Sequence, residues 1–178
     1  MTNKKIVITG GPSTGKTTII KHLESIGEKC LHEISRQVTL EAQEQGVEQL
    51  FLEDPTLFSK KLLEGRVQQF IEAQELISSR IFLDRGIPDV LAYMNYANEI
   101  NPPSFVEACK KHKYDTIFLL PPWEDIHETD NERYESFDQA LQIHHHLYET
   151  YTSFGYDCIE VPFGKVDDRS NFIIENVL

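Results

Sequence analysis

The stretch Gly10-Gly11-Pro12-Ser13-Thr14-Gly15-Lys16-Thr17 limits what this chain can fold into more than any other. It lies between the apolar run Ile6-Val7-Ile8 and the helix-like Thr18-Ile19-Ile20-Lys21-His22-Leu23, so it reads as strand, loop, helix. The spacing G-x-x-x-x-G-K-[ST] describes a loop whose backbone N–H groups all turn inward around a phosphate. That turn needs backbone angles that side-chained residues reach only with strain, and Gly10 and Gly15 stand at those positions. In such a loop Lys16 would reach the β- and γ-phosphates, Thr17 would place its hydroxyl on Mg²⁺, and the helix N-terminus would aim its positive end at the anion. Gly10 to Thr18 are therefore the candidate nucleotide-binding residues, and Thr17 is a candidate metal ligand.

The chain has 178 residues, which fits one domain spanning 1–178 with a core of its own. No repeat, low-complexity run or linker interrupts it; the one biased patch, His144-His145-His146, is internal and shows no spacing that suggests a metal site. Net charge is −12, from 29 acidic and 17 basic residues, which argues against a nucleic-acid surface built on clustered Lys and Arg. The basic run Lys110-Lys111-His112-Lys113 falls at an expected helix end, where cations offset exposed carbonyls. No segment approaches the length of apolar residues that a membrane span requires, and the N-terminus leads straight into a strand; a cytoplasmic location is expected. Cys30, Cys109 and Cys158 are odd in number and far apart, as expected of reduced, buried thiols.

Periodicity supplies an alternation of strands and helices. Short apolar runs at 4–9, 29–32, 81–84, 115–120 and 156–161 read as strands, the first as a central parallel strand buried on both faces. Helices are expected over 16–26, 34–45, 55–79, 88–97, 103–112 and 136–154, with a last one starting near Asp167 or Asp168. In the long helix Leu57, Leu62, Phe70, Ile71 and Ile77 are the expected core residues. Residues 121–135 are rich in charge and have no clear period, and read as a mobile lid. Alternating strands and helices predict an α/β sheet with right-handed crossovers, whose ligands bind beyond the carboxyl ends of the strands.

Asp84 closes a hydrophobic strand as a Walker-B carboxylate does, and is the second candidate metal ligand. AAA-type ATPases generally carry an acidic residue next, to activate water. Here the next residue is Arg85, a cation suited to steadying phosphate charge during transfer; the competing reading is a surface ion pair. Glu33 follows the second strand and Arg36 lies one helical turn on, so Glu33 is a candidate general base and Arg36 a candidate acceptor contact, with Asp84 competing for the role of base. Charge complementarity at a helix N-terminus would also explain Glu33. Arg133, in the lid, can swing onto the transferring group on closure. Trp123 is a candidate for stacking on the acceptor or for packing at the lid hinge, and Arg169 with residues 162–166 for bordering the nucleotide base. The candidate catalytic set is Lys16, Glu33, Asp84, Arg85 and Arg133.

The chain resembles the P-loop family that includes the ribosylnicotinamide kinase domain of NadR and the nucleotide-binding domain of the fly TRPL-translocation-defect protein. Gly10 to Thr17, Glu33-x-x-Arg36, Phe82-Leu83-Asp84-Arg85-Gly86, Leu120-Pro121-Pro122-Trp123, Arg133 and Val161-Pro162 with Arg169 and Phe172-Ile173 carry the resemblance. It implies a three-layer, nucleoside- or nucleotide-kinase-like fold with a five-stranded parallel sheet in the order 2-3-1-4-5, helices on both faces, Mg²⁺, and ATP or GTP. Thr129-Asp130-Asn131-Glu132 replaces the Asp and Gly arrangement of the ribosylnicotinamide kinase lid, which argues away from that substrate.

Two functions follow. One is an Mg²⁺-dependent kinase for a small hydroxyl-bearing, nucleoside-like acceptor; the other is a nucleotide-binding regulatory NTPase with slow hydrolysis that signals to a protein partner. No Asn/Thr-Lys-x-Asp guanine-reading motif follows a strand, so ATP is expected over GTP.

Overall fold

A computed structural model describes residues 3–128 and 135–177 of the chain. Five strands form one parallel sheet: β1 (Lys4–Gly10), β2 (Lys29–Leu31), β3 (Arg80–Asp84), β4 (Thr116–Leu120) and β5 (Cys158–Glu160), in the order β2-β3-β1-β4-β5. Eight helices accompany them among the described residues: α1 (Lys16–Ser25), α2 (Ser35–Glu44), α3 (Leu50–Glu53), α4 (Pro55–Glu75), α5 (Ile87–Tyr96), α6 (Pro103–Lys111), α7 (Phe137–Ser153) and α8 (Val166–Glu175). A short 3-10 turn, Glu124–Ile126, follows β4.

Strand side chains alternate between two helix layers, which is why the central strands read as continuous apolar runs. Ile6, Ile8, Phe82, Phe118 and Leu120 pack with Ile19, Ile20 and Leu23 of α1 and Ile173 of α8. Val7, Ile81, Leu83, Ile117 and Leu119 point the other way, onto Phe70 of α4, Leu91 of α5, Cys109 of α6 and Leu147 of α7. Burying a side chain of this size contributes roughly 1.5–3 kcal/mol, so the sheet is held from both faces. In register, Ile8 faces Asp84 and Gly10 faces Leu120, which brings the carboxyl ends of β1, β3 and β4 together.

The structure corrects the expected long helix. It ends at Glu75, and Leu76 turns extended with ψ 135°. Its inward stripe is Leu63, Arg66, Phe70 and Ala73. Of the expected core residues, Phe70 is buried and Leu62 packs partly against the core, but Leu57 and Ile71 are exposed and Ile77 is fully so. The apolar residues over 55–79 belong to two faces of a helix and to the turn beyond it.

Burial pushes the Cys30 and Cys109 thiols up to about 12 and Cys158 to about 11, and all three are free. No helix among the described residues is long and apolar enough to cross a membrane.

Candidate active site

The loop between β1 and α1 takes the conformation its glycines permit. Gly10 has φ 157° and Gly15 φ 86°, and a Cβ on Gly15 would lie 2.8 Å from Nη1 of Arg169. Ser13 takes φ 54° without a glycine's freedom, and its hydroxyl donates to the carbonyl of Glu128 at 2.9 Å, so the loop touches the expected lid segment. Thr14 is buried and closes the turn on the Gly11 carbonyl at 3.0 Å, while Thr17 and Thr18 are exposed at the start of α1.

Lys16 is 9 % exposed, and its Nζ donates to the Gly10 and Gly11 carbonyls at 2.8 Å each. Burial, seconded by the charge of Arg85, pulls its pKa down to about 7 against the opposing pull of Asp84, Glu33 and Asp89. A phosphate beside the amine would favour its charged form and raise that value. Nucleotide binding is therefore expected to draw a proton onto Lys16 above about pH 7, with affinity falling as pH rises past that point. Calorimetric titrations in buffers of different ionisation enthalpy, at a pH about one unit above that value, should report proton uptake; uptake of zero would contradict this placement of Lys16.

Glu33 precedes α2, and its Oε1 accepts from the backbone N–H of Ile34 and Ser35 at 2.9 and 3.1 Å. These bonds place Glu33 at the N-terminus of α2, as the helix-end reading of it expects. The arginines brought to it are Arg66, whose Nη2 lies 3.0 Å from Oε1, and Arg85, whose Nε pairs with Oε2. Arg36 stands exposed in the first turn of α2. Burial alone would push the Glu33 carboxyl up; Arg66 and Arg85 overcome this and hold it at about 2. The sequence reading missed Arg66. Its signal was a cation inside the apolar stripe Leu63, Phe70, Ala73, and beside it Gly65, where a Cβ would sit 2.4 Å from Cδ1 of Ile34. A glycine inside a helix costs about 0.5–1 kcal/mol, and here it lets α4 approach the segment that carries Glu33.

Asp84 is buried at the end of β3, and its Oδ1 has no hydrogen-bond partner among the described residues. Burial raises its pKa, against the opposing charges of Lys16 and Arg85. A buried carboxylate oxygen without a donor, close to the phosphate loop, suits a hard cation, and Thr17 adds a hydroxyl at the start of α1. Among the described residues no group of three or more His, Cys, Asp or Glu could hold a metal ion.

Arg85 is not a surface ion pair. It takes φ 76°, its backbone N–H donates to the Ile8 carbonyl at 3.0 Å, and its guanidinium meets the Gly10 carbonyl at 3.2 Å and the Tyr93 hydroxyl at 3.3 Å. Arg85 thus joins Glu33 to the first residue of the phosphate loop.

On the far side of that loop, Arg169 of α8 donates from Nη1 to the Thr14 carbonyl and from Nε to the Pro162 carbonyl, each at 3.0 Å. Its guanidinium lies 5.5 Å from the Trp123 ring, which stacks on Phe163 at 5.0 Å. Trp123 therefore stands with Arg169, beside the phosphate loop. Arg133 lies outside the described residues.

Residues 5–169 match the model of a family described as an AAA domain. No curated protein matches the chain. Among solved structures it is similar to deoxyadenosine kinase from M. mycoides with products dCMP and a flexible dCDP bound, at 15 % identity and a TM-score of 0.68, covering 96 % of this chain and 97 % of that one. It is similar to NadR protein in complex with NR, at 20 % identity and a TM-score of 0.74, with 97 % of this chain covered but 48 % of that one, so it spans about half the NadR chain. Thymidylate kinase from Candida albicans matches at 17 % identity and a TM-score of 0.63, covering 98 % and 90 % of the two chains. At these identities the likeness establishes the fold, a nucleoside- and nucleotide-kinase-like P-loop fold with sheet order 2-3-1-4-5.

Proposed function

The chain belongs to this AAA domain family, and on that premise we propose that it transfers the γ-phosphoryl group of ATP to the hydroxyl of a small, nucleoside-like acceptor. One observation carries the reading: Arg85 follows the strand-end Asp84, where a water-activating acid would sit in a motor, and holds an ionised Glu33 beside the phosphate loop. That is an arrangement for orienting a hydroxyl next to transferring charge.

In this reading Gly10 to Thr18 hold the phosphates, and the base packs near Trp123, Phe163 and Arg169; Trp123 thereby moves from the acceptor to the nucleotide. Thr17 and Asp84 would hold Mg²⁺, which when bound neutralises charge on the phosphates. Glu33, fixed by Arg66 and Arg85, accepts the hydrogen bond of the acceptor hydroxyl. The hydroxyl oxygen forms its bond to the γ-phosphorus, the bond from that phosphorus to the β,γ-bridging oxygen breaks, and ADP leaves with the electron pair. The hydroxyl becomes strongly acidic as the new bond forms, so even a carboxylate of low pKa takes its proton. Arg85 and Lys16 stay within reach of the equatorial charge throughout, and we assign Arg133 to closure of the lid and Arg36 to the acceptor.

The test is consumption of ATP and of GTP with Mg²⁺, screened against nucleosides, ribosylnicotinamide and small alcohols, with Arg133→Ala as control. Consumption that rises with one acceptor and collapses in the variant supports the kinase. Tight nucleotide binding with slow turnover indifferent to every acceptor would overturn it in favour of a regulatory NTPase.

A further inference from the structure

Asp89 lies in the first turn of α5, within a helix that is otherwise apolar on its buried side, and is 1 % exposed. Its carboxylate accepts from four groups. Oδ1 takes the Thr9 hydroxyl at 2.6 Å and Nη1 of Arg85 at 3.3 Å; Oδ2 takes the Gly86 N–H at 2.9 Å and the Tyr151 hydroxyl at 2.5 Å. These donors come from the end of β1 beside Gly10, the residue after Asp84, the corner leading into α5, and α7. A buried ionic group of this kind is seldom the most stable choice, since well-packed apolar residues do as well or better, so its value lies in what it holds in place.

We propose that Asp89 is the positioning residue of the site, fixing the guanidinium of Arg85 while tying α7, the helix that follows the lid, to the strand that launches the phosphate loop. This rests on the reading of Arg85 given above. Arg85 has two carboxylate partners with different duties. Glu33 faces the acceptor and shares its oxygens with the incoming hydroxyl; Asp89 faces the core and has no substrate to serve. When Glu33 turns to the hydroxyl, the contact with Asp89 keeps Arg85 aimed. The left-handed backbone of Arg85, uncommon for a residue with a side chain, is the local sign that its placement is imposed from outside.

The experiment records arginine side-chain nitrogen resonances, with Arg85 assigned through Arg85→Lys, in the wild type, in Asp89→Asn and in Tyr151→Phe. Tyr151→Phe removes a different bond to the same carboxylate and serves as the control for stability. In the wild type the Arg85 Nη protons should be resolved by slow rotation of the guanidinium; a freely rotating group there overturns the proposal even if Asp89→Asn fails to fold. In Asp89→Asn the resolved signals should be lost, and kcat with the acceptor should fall about 100-fold at nearly constant nucleotide KM, the size expected of a misplaced group. Tyr151→Phe should lose thermal stability yet keep the Arg85 signals and most of kcat. Unmoved Arg85 signals in Asp89→Asn, or losses of kcat that track melting temperature equally in both variants, overturn the proposal. Absence of phosphoryl transfer in the wild type would defeat the kinase reading and leave the resonance test standing.

Discussion

Replacement of Arg85 by alanine is expected to lower kcat for phosphoryl transfer about 10³-fold, the scale on which an arginine stabilises the spreading charge of a transferring phosphoryl group. The loss should fall on kcat more than on nucleotide affinity, because Arg85 touches the Gly10 carbonyl at the edge of the loop whereas the loop itself supplies the phosphate cradle. Part of the effect runs through Glu33. Without Arg85 that carboxylate keeps Arg66 and the N–H groups of Ile34 and Ser35, so it stays ionised but is no longer aimed by the residue next to Asp84. Arg85→Lys should recover little: one ammonium cannot span Glu33, Asp89 and Tyr93 as the planar guanidinium does. Steady-state kinetics of the two variants, with circular dichroism to confirm the fold, decide the matter. A kcat within a few-fold of wild type in a folded Arg85→Ala protein would remove Arg85 from the mechanism.

Lys16→Ala is expected to weaken nucleotide binding about 10- to 100-fold, the equivalent of the roughly 1.5–3 kcal/mol carried by hydrogen bonds to a charged group. It should do so without lowering thermal stability. Lys16 is desolvated in the folded chain and carries a pKa lowered to about 7, so its burial opposes folding near neutral pH. Its hydrogen bonds go to two loop carbonyls, and the contacts of α1 with the sheet belong to Ile19, Ile20 and Leu23. Calorimetric titration with a non-hydrolysable ATP analogue, beside a melting curve, separates the two effects. Unchanged affinity in a folded variant would contradict the assignment of the phosphate loop.

The phosphate loop was legible because its spacing serves one local purpose that neighbours in sequence can fulfil. The three central strands were legible for a related reason, since burial on both faces leaves an unbroken apolar run such as Ile6-Val7-Ile8 or Ile117-Phe118-Leu119-Leu120, while the partly buried edge strands β2 and β5 show only short ones. Arg66 and Asp89 were not. Each is a charged residue on a helix stripe that faces the core, and its partners come from distant segments: Glu33 in one case, Thr9 and Tyr151 in the other. Local patterning reads such a residue as solvated, or as a helix cap, because nothing near it in sequence reveals the opposing group. Ile77 failed in the opposite sense. Its apolar side chain continued the apparent period of the preceding helix, but the helix had already ended at Glu75. The place of Trp123 was open for the same reason: the β4 turn sets it beside Phe163 and Arg169, two segments that meet it only in the folded chain.

The most direct test of the central claim follows the γ-phosphoryl group itself. The protein, Mg²⁺ and ATP labelled at the γ-phosphorus are incubated with the acceptor that most stimulates consumption, and the label is traced by chromatography. The account predicts label on the acceptor hydroxyl in amounts equal to the ADP formed, with both lost in Arg85→Ala. Label recovered wholly as inorganic phosphate, at a rate that no acceptor changes, would contradict it.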